Sequence, residues 1–235
     1  MEQAREWLRK AERIVALTGA GISAESAIPT FRGAGGLWRN YRAEDLATPE
    51  AFSRDPRLVR EWYEWRRDLI AEAQPNAAHY ALAELEQRAP GFTLVTQNVD
   101  DLHERAGSRR LLKLHGDIAT ERCQACSRER ARVRSAELPR CECGGLLRPG
   151  VVWFGEALPW DIWRQSEEAV ARASVVLVIG TSAVVYPAAG LAPAAVEAGA
   201  KVIEVNLEET PYSGGVSLSL RGKAGEILPR LLELE

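Results

Sequence analysis

Four cysteines among 235 residues, all confined to positions 123–143, are too few and too clustered to staple a secreted domain. Apolar runs are short as well: none approaches the roughly eighteen residues of a membrane span. The opening segment MEQAREWLRKAER reads as an amphipathic helix rather than a secretion signal. Nor is there an excess of charge of either sign. Thirty Lys and Arg stand against 33 Asp and Glu, a net charge of −3 with pI near 5.8, which gives no general attraction to nucleic acid or to an anionic membrane. Internal repeats, low-complexity tracts and long polar tails are also lacking. What is present, 46% hydrophobic and 27% charged residues, suits one large core plus a small satellite module in a cytoplasmic globular chain, with neither nucleic acid nor membrane as a direct partner and the oligomeric state left open.

One absence is more specific. The apolar run Ile14 to Leu17 leads into Gly19, Ala20, Gly21, Ile22, Ser23 and Ala24, a strand followed by a glycine turn. Glycine at 19 and 21 allows the backbone to turn sharply and approach a ligand, and a short helix opening at Ser23 and Ala24 would point free N–H groups at an anion such as a pyrophosphate. Gly19, Gly21 and Ala24 satisfy the relaxed G-x-G-x-x-A spacing, a pattern that plain tight turns share. An ordinary dinucleotide fold then needs a second strand ending in an acidic residue about twenty positions on. Here that region reads NYRAEDLATPEA, with no β-branched run, which argues against a standard dehydrogenase.

Further along, helices are expected over residues 49–54, 56–73 and 76–88, with a strand over 92–96. Gln97, Asn98 and Asp100 sit just past that strand, where open α/β sheets place ligand contacts; a plain helix cap at Asn98 or Asp100 is the competing reading. Cys123-x-x-Cys126 and Cys141-x-Cys143, on tight turns bridged by a short ribbon, suit a closed thiolate cage for structural zinc. Disulfides or unrelated surface cysteines are the alternatives. Val151 to Phe154 is apolar and extended, as a core strand would be. The second half alternates regularly: a helix over 160–172, a strand over 174–179 followed by Gly180, Thr181 and Ser182, a helix ending near 198, and a strand over 201–205 closed by Asn206, Leu207 and Glu208. A further strand over 216–220 and a final helix over 224–234 complete the pattern.

These pieces together resemble the sirtuins, the NAD-dependent protein-lysine deacylases. GAGISAESAIPTFRG is similar to the family's opening NAD-binding motif, QNVDDLHERAG followed by LLKLHGD to its next two, and RPGVVWFGE to its substrate-binding segment. The resemblance covers essentially the whole chain. It implies an α/β fold: a Rossmann-like doubly wound parallel sheet formed by residues 1–116 and 150–235, a helical insertion at 31–75, and a small zinc-ribbon module at 117–149. It implies NAD as co-substrate and one structural zinc held by Cys123, Cys126, Cys141 and Cys143. The implied reaction removes the acyl group from an acylated-lysine protein or peptide, releasing nicotinamide and O-acyl-ADP-ribose. Mono-ADP-ribosyl transfer from the same pocket is the alternative.

Carried onto this sequence, the resemblance makes His115 the general base, a task that suits imidazole because its ordinary pKa lies near the working pH. Asn98 and Asp100 hold the nicotinamide end and the reacting ribose. Gly19, Ala20, Gly21, Ser23, Ala24, Phe31, Arg32, Trp38 and Gln97 line the same pocket, while Gly180, Thr181, Ser182, Asn206, Leu207, Glu208 and Ala224 hold the rest of the dinucleotide. Val152 and Phe154 lie where the substrate peptide adds as a strand. Tyr63 and Arg66 resemble the Y-x-x-R pair of the subgroup that removes acidic acyl groups, with small Ala43 and Ala47 leaving room for a longer chain. Three residues apart on a helix, they can close on one carboxylate. The competing reading makes Trp62 and Trp65 core aromatics and the arginines solvated, and Arg67 is a rival for the same role.

Overall fold

A computed structural model describes residues 1–30, 41–135 and 137–233. The expected contacts Phe31, Arg32 and Trp38 lie outside the described residues, as does the side chain of Ala43. Six parallel strands form the main sheet: β1 (Ile14–Thr18), β2 (Phe92–Thr96), β3 (Leu111–Lys113), β7 (Val175–Ile179), β8 (Lys201–Asn206) and β9 (Leu218–Arg221), in the order β3-β2-β1-β7-β8-β9. The intervening β4 (Gly116–Cys123), β5 (Glu129–Ala131) and β6 (Leu147–Val151) make a separate antiparallel sheet in the order β5-β4-β6.

Both faces of the main sheet are covered, which is why β1 and β7 read as unbroken apolar runs and are buried at every position. Successive side chains alternate between faces. Ile14, Ala16, Leu94, Leu177 and Ile203 pack in one cluster with Ala4 of α1 (Glu2–Lys10), Leu82 of α5 (Ala77–Arg88) and Leu228 of α9 (Ala224–Leu231). Val15, Leu17, Val95, Val176 and Val202 pack on the other side with Val170 of α7 (Trp160–Ala171) and Leu191 and Ala195 of α8 (Leu191–Glu197). From β1 the chain runs outward to β2 and β3, then returns to β7 on the opposite flank. The carboxyl ends of β1 and β7 therefore bound the switch-point crevice in which open α/β sheets bind ligands.

The helices α2 (Ala43–Leu46), α3 (Pro49–Arg54) and α4 (Pro56–Glu72) fill the place of an ordinary crossover, and α6 (Leu102–Ala106) follows β2. Local chemistry sets their starts. Thr48 caps α3 and Asp55 caps α4 through side-chain oxygens that accept the N–H groups of Ala51 and Leu58, each with proline at the first helical position. Asn76 and His79 form a reciprocal capping box at α5. A third core joins Phe52, Trp62 and Tyr63 of α3 and α4 to Ile118, Val151 and Trp153. Boundaries anticipated over 49–54 and 92–96 are met. The helix expected at Ser23 is instead a pair of single 3-10 turns, Ala20–Ile22 and Ala24–Ser26, ended by Ala27 at φ +61°. The helix expected after Ser182 is regular only from Leu191, because Pro187 precedes a 3-10 turn at Ala188–Gly190. Among the described residues no helix is long and apolar enough to cross a membrane.

Two buried histidines couple this core to pH. His79 and His103 lie with ring centroids 4.8 Å apart, and burial pulls the His79 pKa down to about 4 and that of His103 below its ordinary value. In the window between about 4 and 6.5 the unfolded chain therefore binds protons that the folded chain does not, so stability falls as pH drops through it. Urea midpoints measured from pH 7 to pH 4.5 are expected to decline more steeply for the wild type than for His79→Gln. Parallel curves would show that these rings do not drive the decline.

Candidate active site

The glycine turn is shaped first by backbone contact. Gly19 N–H donates to Ile179 O at 3.1 Å and Gly21 N–H to Gly180 O at 2.8 Å. A Cβ on Gly21 would stand 2.7 Å from Gly180 Cα and O, and one on Gly180, at φ +57°, 2.4 Å from Ile22 N. The two loops after β1 and β7 are thus interlocked at a distance that no side chain permits. Ala20 and Ala24 follow the same turn. Glu25 accepts the N–H of Gly225 at 2.7 Å, which draws Ala224 and the start of α9 against the loop.

Beneath the turn lies a buried polar floor. Asn98 Nδ2 donates to Gly19 O (3.2 Å) and to Ser23 Oγ (3.1 Å), and Ser23 Oγ donates to Asp100 Oδ2 (3.1 Å). Burial pushes the Asp100 carboxyl up in pKa, against the opposing pull of the Leu102 N–H and the Ser23 hydroxyl. Asp100 combines both readings: Asp101 stands at the cap position of α6 without a side-chain bond, while Asp100 accepts the Leu102 N–H through Oδ1 and the Ser23 hydroxyl through Oδ2. Gln97 Nε2 donates to Thr181 Oγ1 at 3.1 Å, and Asn206 Nδ2 to Thr181 O at 2.8 Å, so the ends of β2, β7 and β8 are tied side by side. Ser182 is half-buried next to Thr181, and Leu207 and Glu208 lie exposed beyond Asn206.

His115 sits between β3 and β4 with Nδ1 2.9 Å from Gln97 O. A carbonyl only accepts, which assigns the ring proton to Nδ1 and leaves the Nε2 lone pair available. Burial lowers the ring's pKa, although the Gln97 carbonyl opposes it, so the imidazole is neutral at pH 7. The carbonyl of His115 accepts the Val152 N–H at 2.9 Å, and Phe154 N–H donates to Ala47 O at 3.0 Å, which lays 152–154 along this edge with Phe154 exposed.

On α4, Tyr63 is buried and its hydroxyl accepts from Trp153 Nε1 at 2.9 Å. Burial pushes the phenol up to about 12, so it stays protonated. Arg66 lies 5.2 Å from the Trp62 ring centroid; burial pulls its pKa down while Tyr63 and Asp100 hold it up, which places its charge in the field of the polar floor. Arg67 is committed elsewhere, donating to Ile118 O at 2.7 Å and to Glu64 at 2.8 Å. The arginines are therefore not solvated as a set, and the helix register separates Arg66 from Arg67. Sequence reasoning missed Trp153 and Lys113, whose Nζ donates to Asp100 O at 2.9 Å and pairs with Glu104 and Asp117. Both lie inside the quoted motifs, where the alternation Val152, Trp153, Phe154 already set Trp153 on its own face.

The four cysteines converge. Cys123 and Cys143 sulfurs are 3.5 Å apart, those of Cys126 and Cys141 3.7 Å, and all four lie within 4.8 Å of one another without a disulfide. Tetrahedral metal–sulfur bonds of ~2.3 Å put neighbouring sulfurs about 3.8 Å apart, so the donor set fits a metal ion.

The Sir2 family model matches residues 19–187. An NAD-dependent protein deacylase of Thermococcus kodakarensis is 54% identical over 239 residues, covering 97% of this chain and 93% of that protein. Another of Aquifex aeolicus is 54% identical over 224 residues, covering 94% of each. A crystal structure of a Sir2 homologue in complex with NAD superposes with a TM-score of 0.95 at 50% identity, covering 99% of this chain and 93% of that one. A Sir2 complex with a p53 peptide and NAD+ does so at 0.90 and 35% identity, covering 99% and 97%. Matched by the family model over most of its length and by relatives at about half identity along nearly all of it, the chain belongs to the Sir2 family.

Proposed function

We propose that this protein is an NAD-dependent protein-lysine deacylase that acts on acylated-lysine peptides, releases nicotinamide and O-acyl-ADP-ribose, and accepts acidic acyl groups. The observation that carries the reading is the Nδ1–H bond from His115 to Gln97 O, which leaves a neutral ring with its basic nitrogen free in the buried crevice. NAD, when bound, supplies the ribose carbon that the acyl oxygen attacks as nicotinamide leaves. Gly19, Ala20, Gly21, Ser23, Ala24, Gln97, Gly180, Thr181, Ser182, Asn206, Leu207, Glu208 and Ala224 would hold the dinucleotide along the crevice. Phe31, Arg32 and Trp38 join this proposed set by motif alone. Asn98 and Asp100, held by Ser23, would orient the reacting ribose, and His115 Nε2 would take a ribose hydroxyl proton. Val152 and Phe154 would meet the peptide, while the protonated Tyr63 and the Arg66 guanidinium would receive an acyl carboxylate.

The cysteine cage is proposed to hold one zinc ion. Four thiolates close the coordination sphere, so the ion would stabilise the small sheet and take no part in the reaction.

His115→Ala is expected to abolish deacylation while calorimetry finds NAD affinity nearly intact, because a group acting on the reacting ribose contributes mainly in the transition state; turnover unchanged in that variant would mean another group is the base. In the wild type, kcat/KM should fall only as pH drops through a value below the ordinary 6.5 of histidine, the direction its burial gives. Arg66→Met should weaken desuccinylation by about 1.5 to 3 kcal/mol, tenfold or more, and lower it relative to deacetylation, as competition with both peptides would reveal. Equal losses on both peptides, or a selective loss with Arg67→Met instead, would refute that assignment. Chelation should release one zinc per chain and lower the thermal midpoint, whereas Cys143→Ala with full metal content and unchanged stability would rule out the cage. Product analysis separates the transferase alternative, which would leave ADP-ribose on protein.

A further inference from the structure

The hydroxyl of Tyr63 has one proton and must give it to something if it is to bind a carboxylate. Among the described residues its hydrogen-bond partner is Trp153, whose indole Nε1 donates to it at 2.9 Å, both side chains being buried. An indole N–H only donates, so this bond occupies an acceptor lone pair and turns the phenol's own proton away from Trp153. At a pKa near 12 that proton is retained, so the hydroxyl keeps a proton to donate on the side away from Trp153.

Trp153 is itself held from every side. Its backbone N–H donates to Glu156 Oε2 at 2.9 Å, and the Arg148 guanidinium lies 3.9 Å from the ring centroid and pairs with the same Glu156 at 2.6 Å. Phe52 packs with its ring centroid 5.4 Å away. A cation over the indole face draws electron density from the ring and makes Nε1–H a stronger donor. The clamp spans the end of β6, the loop after it and α3, and its output is the orientation of one hydroxyl on α4.

We propose that Trp153 is a positioning residue for acyl selectivity: through its indole N–H it fixes the Tyr63 hydroxyl as a donor toward an acyl carboxylate. This rests on the acidic-acyl reading of Tyr63 and Arg66, and extends it to a residue that meets no substrate atom.

The test compares kcat and KM on matched succinyl-lysine and acetyl-lysine peptides. Trp153→Phe keeps an aromatic ring and removes the N–H. The ratio of desuccinylation to deacetylation is expected to fall roughly three- to tenfold, chiefly through KM for the succinyl peptide. In a Tyr63→Phe background the same change should add nothing, because its target hydroxyl is gone. If Trp153→Phe fails to fold, 3-benzothienylalanine at 153 preserves the bicycle with sulfur in place of N–H and carries the same expectation. Proportional losses on both peptides, or losses that add in the double variant, would make Trp153 a packing residue only. A selective loss in Tyr63→Phe with an unchanged ratio in Trp153→Phe would overturn this inference and leave the acidic-acyl reading standing. A wild type inactive on the succinyl peptide would overturn both.

Discussion

The contact on which the rest of the site depends is backbone against backbone: the turn after β1 pressed into the turn after β7, with Gly21 N–H on Gly180 O and no room for a Cβ on Gly19, Gly21 or Gly180. That contact determines where Ser23 stands. Ser23 in turn receives Asn98 and donates to Asp100, so the loop after β2 is registered on the first two. Gln97 closes the circuit by donating through its side chain to Thr181 and accepting through its carbonyl from His115. Three strand ends and the histidine are thereby one hydrogen-bonded unit, and the glycine pattern has a cause in the fold itself, apart from any ligand. A methyl group at Gly21 would displace the floor before any ligand met it.

A second constraint is the burial of charge along α4. Arg60 pairs with Glu121, which is fully buried and also receives Arg130, while Glu64 takes Arg67 and Arg132. Such pairs give back much of their attraction as lost hydration, and their net stabilisation is small, but removing one partner leaves an uncompensated buried ion at a cost of about 3 to 5 kcal/mol. Their consequence here is geometric. Residues from α4, β4 and β5 are held in one register, so the small sheet with its cysteine cage and the helix carrying Tyr63 and Arg66 cannot slide independently. A change at the cysteine cage would thus be passed to the placement of α4.

Much of this was legible from residue pattern. The alternation of short apolar strands with helices was readable from periodicity and the doubly wound sheet from the family resemblance, while α3 and α4 begin at the prolines the sequence offers, with Thr48 and Asp55 capping them in the structure. The family resemblance named the crevice residues, and Ser23, Gln97, Asn98, Asp100, Thr181 and Asn206 are bonded together there. What stayed hidden was long-range. That Gly19 and Gly21 are required by Gly180, some 160 positions away, is invisible to local spacing. Likewise, Arg66 and Arg67 are adjacent in sequence and equivalent in propensity; only the fold shows that Arg67 is the one committed to the carbonyl of Ile118. β3 and β4 escaped notice because Leu111 to Lys113 is too short for a period and β4, Gly116 to Cys123, mixes charged, polar and apolar residues without a clean alternation.

Burial gives the site a consistent chemical character. It holds His115 and the Tyr63 phenol in their neutral forms and raises Asp100, each by withdrawing the water that would stabilise a charge. A guanidinium cannot follow, since it does not deprotonate at any working pH. Arg66 therefore keeps its charge, with Tyr63 and Asp100 holding its pKa up against burial. On the proposed reading a succinyl or malonyl carboxylate would bring a matching charge to that guanidinium, whereas a neutral acetyl group would not.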